Sequence, residues 1–228
     1  MAETALQKAI QGIGGAALMG VHILLPFLHR FRTTAGATQE ELKRTWLGDE
    51  VVPLPCGGFT HAITIHAPAE VVWQWIVQIG QDKGGFYSYE FLENLVGCNI
   101  HNAERIHPEW QALKPGDALY LYPQAMPIPV TAVEPGKGYV CSGVLDAEKG
   151  QPVEAGKPLP RSFMQISWLF YVYETAPGVT RFISRWRINY PRNFRNDLMF
   201  GRWFFEPVAA VMDFGMLRGV KQCAEASL

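Results

Sequence analysis

Charge, cysteine pairs and phosphate-binding glycine loops are what this chain has little of. Only 18% of its 228 residues are charged, and twenty basic against twenty-one acidic side chains leave a formal net charge of −1. That balance gives no electrostatic reason to expect a nucleic-acid partner. Cys56, Cys98, Cys141 and Cys223 stand about forty or more residues apart, with no CxxC pair and no Cys/His cluster at zinc spacing. They read as buried free thiols in a reducing compartment. HExxH, GxSxG and Rossmann patterns are all missing, so no motif calls for a metal or a cofactor. No internal repeat is present, and residues 146–160 (DAEKGQPVEAGKPLP) read as a polar loop punctuated by proline.

What is present is enough apolar material, 48% of the chain, for one good core. The organisation expected is an apolar N-terminal helix in residues 1–36 and one domain in 37–228. Residues 9–28, AIQGIGGAALMGVHILLPFL, contain no formally charged side chain over about the twenty residues that cross a bilayer. Gln11, His22, Pro26 and the glycines weaken that signal. Gly12, Ala16 and Gly20 fall at i, i+4 and i+8, a small-residue stripe on which a partner helix could pack. His29, Arg30 and Arg32 follow the apolar run, which by the positive-inside rule places the main domain on the cytoplasmic side of an inner membrane, held by a single N-terminal anchor. A helix packed on its own domain or on a membrane-protein subunit is the alternative.

From residue 60 the periodicity is that of a mixed domain. THAITIHAP alternates as a strand, and PAEVVWQWIVQIG follows as a helix with Pro68 in its first turn and Val72, Trp75, Ile76 and Ile79 on one face. In GGFYSYEFLENLVG, Ser88 is placed to cap a second short helix that stops at Gly97. Two-residue alternation resumes in ALYLYP and PVTAVEPGKGYVCSG. It runs longest in FMQISWLFYVYE and TRFISRWRINY, which Pro177 and Gly178 join as a hairpin. In the second of these strands Phe182, Trp186, Ile188 and Tyr190 share a core face, while Arg181, Arg185 and Arg187 share a face expected to meet water. The C-terminal helix, EPVAAVMDFGMLRGVKQCAEA, carries Met212, Gly215, Met216, Gly219 and Val220 on its buried face and Asp213, Arg218, Lys221 and Glu225 on the other. Two glycines and two methionines on a buried face mean either close helix packing or room for an apolar ligand.

Strand, two helices, an antiparallel run of strands and a long final helix make an α+β helix-grip order: a curved antiparallel sheet wrapped around the C-terminal helix. The stretches GATQEEL, GDEVVP, APAEVVWQWIVQIGQDKGGFYSYEFLENL, IHNAERIHPEWQALKPGD and TRFISRWR resemble a bacterial branch of the SRPBCC superfamily, whose relatives include START lipid-transfer domains, birch-pollen-allergen-type proteins and polyketide cyclase/dehydrases. The resemblance covers about Ala37 to Ala224. It implies an apolar ligand such as a lipid, isoprenoid, polyketide or pigment, held between sheet and final helix.

The residues expected at such a ligand are Tyr87, Tyr89, His101, His107, Phe182, Trp186, Met212 and Met216. An enzyme of this fold, a cyclase or dehydratase working without metal, would draw its acid or base from His101, His107, Glu109, Tyr87 or Tyr89, none of which stands in a diagnostic spacing. More often such residues cap helices, satisfy buried backbone groups or line a pocket passively. Two functions stay open at this level. One is a membrane-tethered binder of a hydrophobic small molecule. The other is a non-catalytic subunit or assembly factor of a membrane complex, docked through Gly12, Ala16 and Gly20.

Overall fold

A computed structural model describes residues 4–154 and 156–228. The chain opens with α1 (Ala5–Leu24), where Thr4 and Gln7 form a capping box. A 3-10 turn (Pro26–Leu28), α2 (His29–Thr34) and α3 (Gln39–Lys43) follow, and after them β1 (Gly57–Ile65), α4 (Ala69–Ile76) and α5 (Glu90–Leu95). A second 3-10 turn (Pro108–Trp110) leads to β2 (Ala118–Leu119), β3 (Ile128–Glu134), β4 (Gly138–Asp146) and β5 (Gln151–Pro152). The long hairpin β6 (Phe163–Ala176) and β7 (Val179–Asn189) comes next, then α6 (Phe194–Met199) and α7 (Phe205–Ala226). The strands form one antiparallel sheet in the order β1-β7-β6-β4-β3-β2, with β5 added beside β4.

The two faces of this sheet meet different partners. Phe59, Trp168, Phe170, Phe182 and Trp186 lie on the face that packs toward α4 and α7 and belong to the main core. Trp168 and Trp186 meet edge to face at 5.3 Å, a geometry that adds about 0.5–1.5 kcal/mol beyond burial.

The opposite face was expected to meet water and does not. Residues 37–56 cross it, and Trp46 packs with Ala62, Val140, Leu169 and Ile183 in a second small core. The arginines of β7 serve as clamps for this covering segment. Arg181 grips Glu41 through two bonds of 2.8 Å, Arg185 grips Asp49 at 2.8 Å, and Arg187 donates to the Val52 carbonyl. Period-two alternation separates the two faces of a strand, but it does not say what covers the polar one.

The N-terminal helix also departs from expectation. Among the described residues no helix is long and apolar enough to cross a membrane. The apolar run of residues 9–28 is broken, since α1 ends at Leu24 and a tighter turn begins at Pro26. α1 packs on α5 and α7 of its own domain, with His22 buried beside Phe31 and Phe214. In the small-residue stripe, a Cβ at Gly12 would lie 2.6 Å from Phe91 Cδ1, whereas Gly20 has open space beside it.

The two glycines of α7 have a packing reason. A Cβ at Gly219 would stand 1.9 Å from the Tyr87 carbonyl oxygen, and one at Gly215 would stand 2.9 Å from Tyr89 Cε2. The segment between α4 and α5 therefore lies directly on α7. Tyr87 itself has φ 54°, a left-handed conformation unusual for a bulky residue. It is held there by the Asn102 side chain, which accepts the Tyr87 N–H at 2.9 Å, and by Gln78, which donates to the Tyr87 hydroxyl at 2.6 Å.

Candidate functional site

Helix α7 does not lie flush on the sheet along its whole length. Close packing at Gly215 and Gly219 seats its C-terminal half, and toward its N-terminus a cavity of about 540 Å³ opens between sheet and helix. Phe59, Trp168 and Trp186 form the sheet wall, Met212 and Met216 the α7 wall, and Leu92, Leu95 and Val96 the α5 wall. Ala16 and Met19 of α1 close one side, so the N-terminal helix is part of the pocket. Cys98 contributes to the lining.

Three polar side chains enter this apolar lining, those of Ser88, Glu93 and Asp213. Glu93 is 5% exposed. Ser88, expected to cap α5, instead donates its hydroxyl to Glu93 Oε1, and Glu93 Oε2 has no hydrogen-bond partner. Burial pushes the Glu93 carboxyl up to about 7, with the Ser88 bond opposing and the charge of Glu90 adding to the rise. Glu90, one turn earlier, is compensated by Lys8 Nζ at 2.7 Å and the Asn102 N–H at 3.0 Å. Glu93 has no such cation among the described residues.

Asp213 was assigned to the solvent side of α7 and is buried. It stands one turn before Met216, close enough round the helix to share its buried side. One oxygen meets His61 Nδ1 at 2.6 Å, and the other accepts the Ser184 hydroxyl at 2.6 Å. Ser184 in turn accepts the Trp168 indole N–H at 3.0 Å. His61 is completely buried, and its Nε2 lies 2.6 Å from the Arg32 carbonyl. That carbonyl can only accept, so Nε2 carries a hydrogen.

Behind this network, buried Arg32 donates to Glu206 at 2.9 Å and to the His22 carbonyl at 2.8 Å. Glu206 also meets His29 at 2.9 Å. His29 and Glu206 face a second, polar cleft of about 600 Å³. Three of the arginines around it already have acceptors: Arg185 holds Asp49, Arg187 holds the Val52 carbonyl and Arg192 holds Asp197.

Of the residues expected at a ligand, the structure brings Trp186, Met212 and Met216 together in the cavity wall. The other five lie elsewhere. Tyr87 is a buried strut bonded to Gln78, and Tyr89 is wedged between Gly15 and Gly215. His101 is exposed, with 80% of its side chain accessible. His107 pairs with Glu109 at 3.0 Å and stacks on Trp110. Phe182 is fully buried against Phe170. Polarity marked the right region of the sequence but not the inward-facing groups. Glu93, Asp213 and His61 were not expected at the site: helical pattern put Asp213 on the solvent side of α7, and nothing local to Glu93 or His61 showed which partner its polar side chain would meet.

No family model matches the chain, and no curated protein matches it. Among solved structures the chain is similar to the ZhuI aromatase/cyclase from Streptomyces sp. R1128, at 13% identity and a TM-score of 0.32, over 74% of this chain and 93% of that one. A likeness this distant names neither a substrate nor a catalytic residue for the present chain.

Proposed function

We propose that this domain binds an apolar small molecule in the cavity between the sheet and α7. The observation that carries the reading is the cavity itself, about 540 Å³ walled by tryptophan, phenylalanine, leucine and methionine. Volumes of a few hundred Å³ with apolar walls and a few fixed polar groups are typical of small-molecule sites. Water gains little from such walls, since a buried water needs two to four polar partners. The cavity's place under the final helix is also where a helix-grip domain would hold a lipid, isoprenoid, polyketide or pigment. The chemistry available for a cyclase or dehydratase reaction is narrower than the sequence offered, because His101 and the His107–Glu109 pair lie outside the cavity.

Native mass spectrometry of protein purified in mild detergent tests this directly. The expected spectrum carries an added mass of a few hundred daltons, and Met212→Trp, which fills the α7 wall, removes it. An unliganded wild type, or a mass retained by a folded Met212→Trp variant, would overturn the reading.

The outer face of α1 favours a second reading, attachment in the plane of an anionic membrane surface. Leu6, Ile10 and Ile13 are 60–70% exposed, and Phe27 and Phe31 continue the apolar surface around exposed Arg30. An apolar helix face flanked by basic residues is the pattern of interfacial association. The protein is expected to float with phosphatidylcholine/phosphatidylglycerol vesicles. Leu6→Gln/Ile10→Gln/Ile13→Gln is expected to stay in the soluble fraction, and equal flotation of both proteins sinks this reading.

A further inference from the structure

The cavity wall contains few polar atoms, and nearly all of them are already occupied. The two oxygens of Asp213 are engaged by His61 and Ser184. The Ser88 hydroxyl is given to Glu93 Oε1. What remains is Glu93 Oε2, buried and unpartnered, together with the Trp186 indole N–H, which has no acceptor and whose ring borders both the cavity and the polar cleft. Buried polar atoms without partners are uncommon enough that each calls for an explanation.

Resting on the reading of this cavity as a ligand site, we propose that Glu93, uncharged and with its proton on Oε2, is the hydrogen-bond donor by which the cavity recognises a carbonyl oxygen on its apolar ligand. The class implied is a ketone, ester or quinone carried on a hydrophobic body. The placement of the proton follows from the bonds. With the Ser88 hydroxyl kept as donor to Oε1, the proton of the neutral acid goes on the other oxygen, the one without a partner. The electrostatic surroundings point the same way. Glu90 on the same helix is a like charge, and its cation, Lys8 of α1, is already engaged at 2.7 Å. His101, in the segment after α5, lies 3.8 Å from Glu90 and is exposed. Cys98, which follows the same helix, is pushed toward the thiol form chiefly by its own burial. Asp213 on α7 is bonded to His61. None of these supplies a cation that would hold Glu93 as a carboxylate inside an apolar wall, where an unpaired charge is costly.

The recognising proton is lost when the solution pH rises past the value near 7 to which burial moves Glu93. Ligand binding through it is therefore full below that pH and weakens above it.

The test uses 6-propionyl-2-dimethylaminonaphthalene, whose emission shifts to the red when its ketone accepts a hydrogen bond, and 2-dimethylaminonaphthalene, which lacks the ketone. Wild type is expected to bind the ketone with red-shifted emission at pH 5.5 and about tenfold more weakly at pH 8.5, the change that one such bond supports. The ketone-free probe is expected to bind equally at both. Glu93→Gln keeps an N–H donor and should hold the ketone with red-shifted emission at both pH values. Glu93→Leu should bind both probes, with blue-shifted ketone emission and no pH dependence. If wild type and Glu93→Leu bind the ketone alike at both pH values, the proposal is overturned while the cavity stands. If neither probe binds wild type, the cavity reading fails and the proposal falls with it.

Discussion

Replacing Asp213 with alanine is expected to lower folding stability by about 3–5 kcal/mol, the range found when one member of a buried charged pair is removed. The Asp213 carboxyl is bonded from two sides, to His61 Nδ1 at 2.6 Å and to the Ser184 hydroxyl at 2.6 Å, and both partners lie on sheet strands while Asp213 lies on α7. Its loss strands two buried polar groups and unfastens the helix from β1 and β7 together. Asparagine is expected to recover most of that stability. Its amide N–H can donate to an Nδ1 without hydrogen while its oxygen accepts from Ser184, and His61 keeps the Nε2 hydrogen that the Arg32 carbonyl requires. Urea denaturation decides the matter. A midpoint of Asp213→Ala close to wild type at equal slope, or one for Asp213→Asn as low as alanine's, contradicts this account of the network.

The second large effect is the part of the pH dependence of stability that Glu93 carries. Its pKa in the folded protein is raised from 4.5 to about 7, first by burial and further by Glu90, against the bond from Ser88. A raised acid binds its proton more tightly in the folded than in the unfolded chain. Its contribution is therefore fully present below about pH 4.5, declines as pH rises, and is lost above about pH 7. At about 1.4 kcal/mol per pH unit the interval corresponds to roughly 3 kcal/mol. Glu93→Gln cannot titrate, so the stability difference between variant and wild type should shift in the variant's favour by about that amount between pH 4.5 and pH 8. Part of the gain is offset at every pH by the buried amide hydrogens, for which the apolar wall offers no acceptor. Paired denaturation curves across this range measure the difference, with every other titrating group common to both proteins. A constant difference would mean that Glu93 is solvated in the folded state.

Both predictions concern residues that pattern reading passed over, and the reason is physical. Helical periodicity sorts residues by angle, and Asp213 sits near the boundary between the α7 face that packs and the one that does not. Only the position of His61 on a neighbouring strand draws it inward. Glu93 lies close to exposed Leu95, at 72%, and Val96, at 66%, and nothing local distinguishes it from a solvated carboxylate. By contrast Trp186, Met212 and Met216 were legible, since large apolar residues on the inner face of a strand and a helix have few other places to go.

Local pattern established the main strands, the helices α4, α5 and α7, and most of the faces they bury. Pro177-Gly178 set the longest hairpin, the alternation of β7 divided its aromatic residues from its arginines, and the glycines and methionines of α7 marked a face of either close packing or ligand space. These follow from local backbone preferences and from the periods of strand and helix, which act over a few residues. Tertiary contacts set which polar groups face inward, that residues 37–56 cover the arginine face, and that α1 closes one side of a cavity. Each of these depends on groups distant in the chain arriving at one place, where burial removes water and a side chain's charge and bonding are set by whatever neighbours the fold supplies.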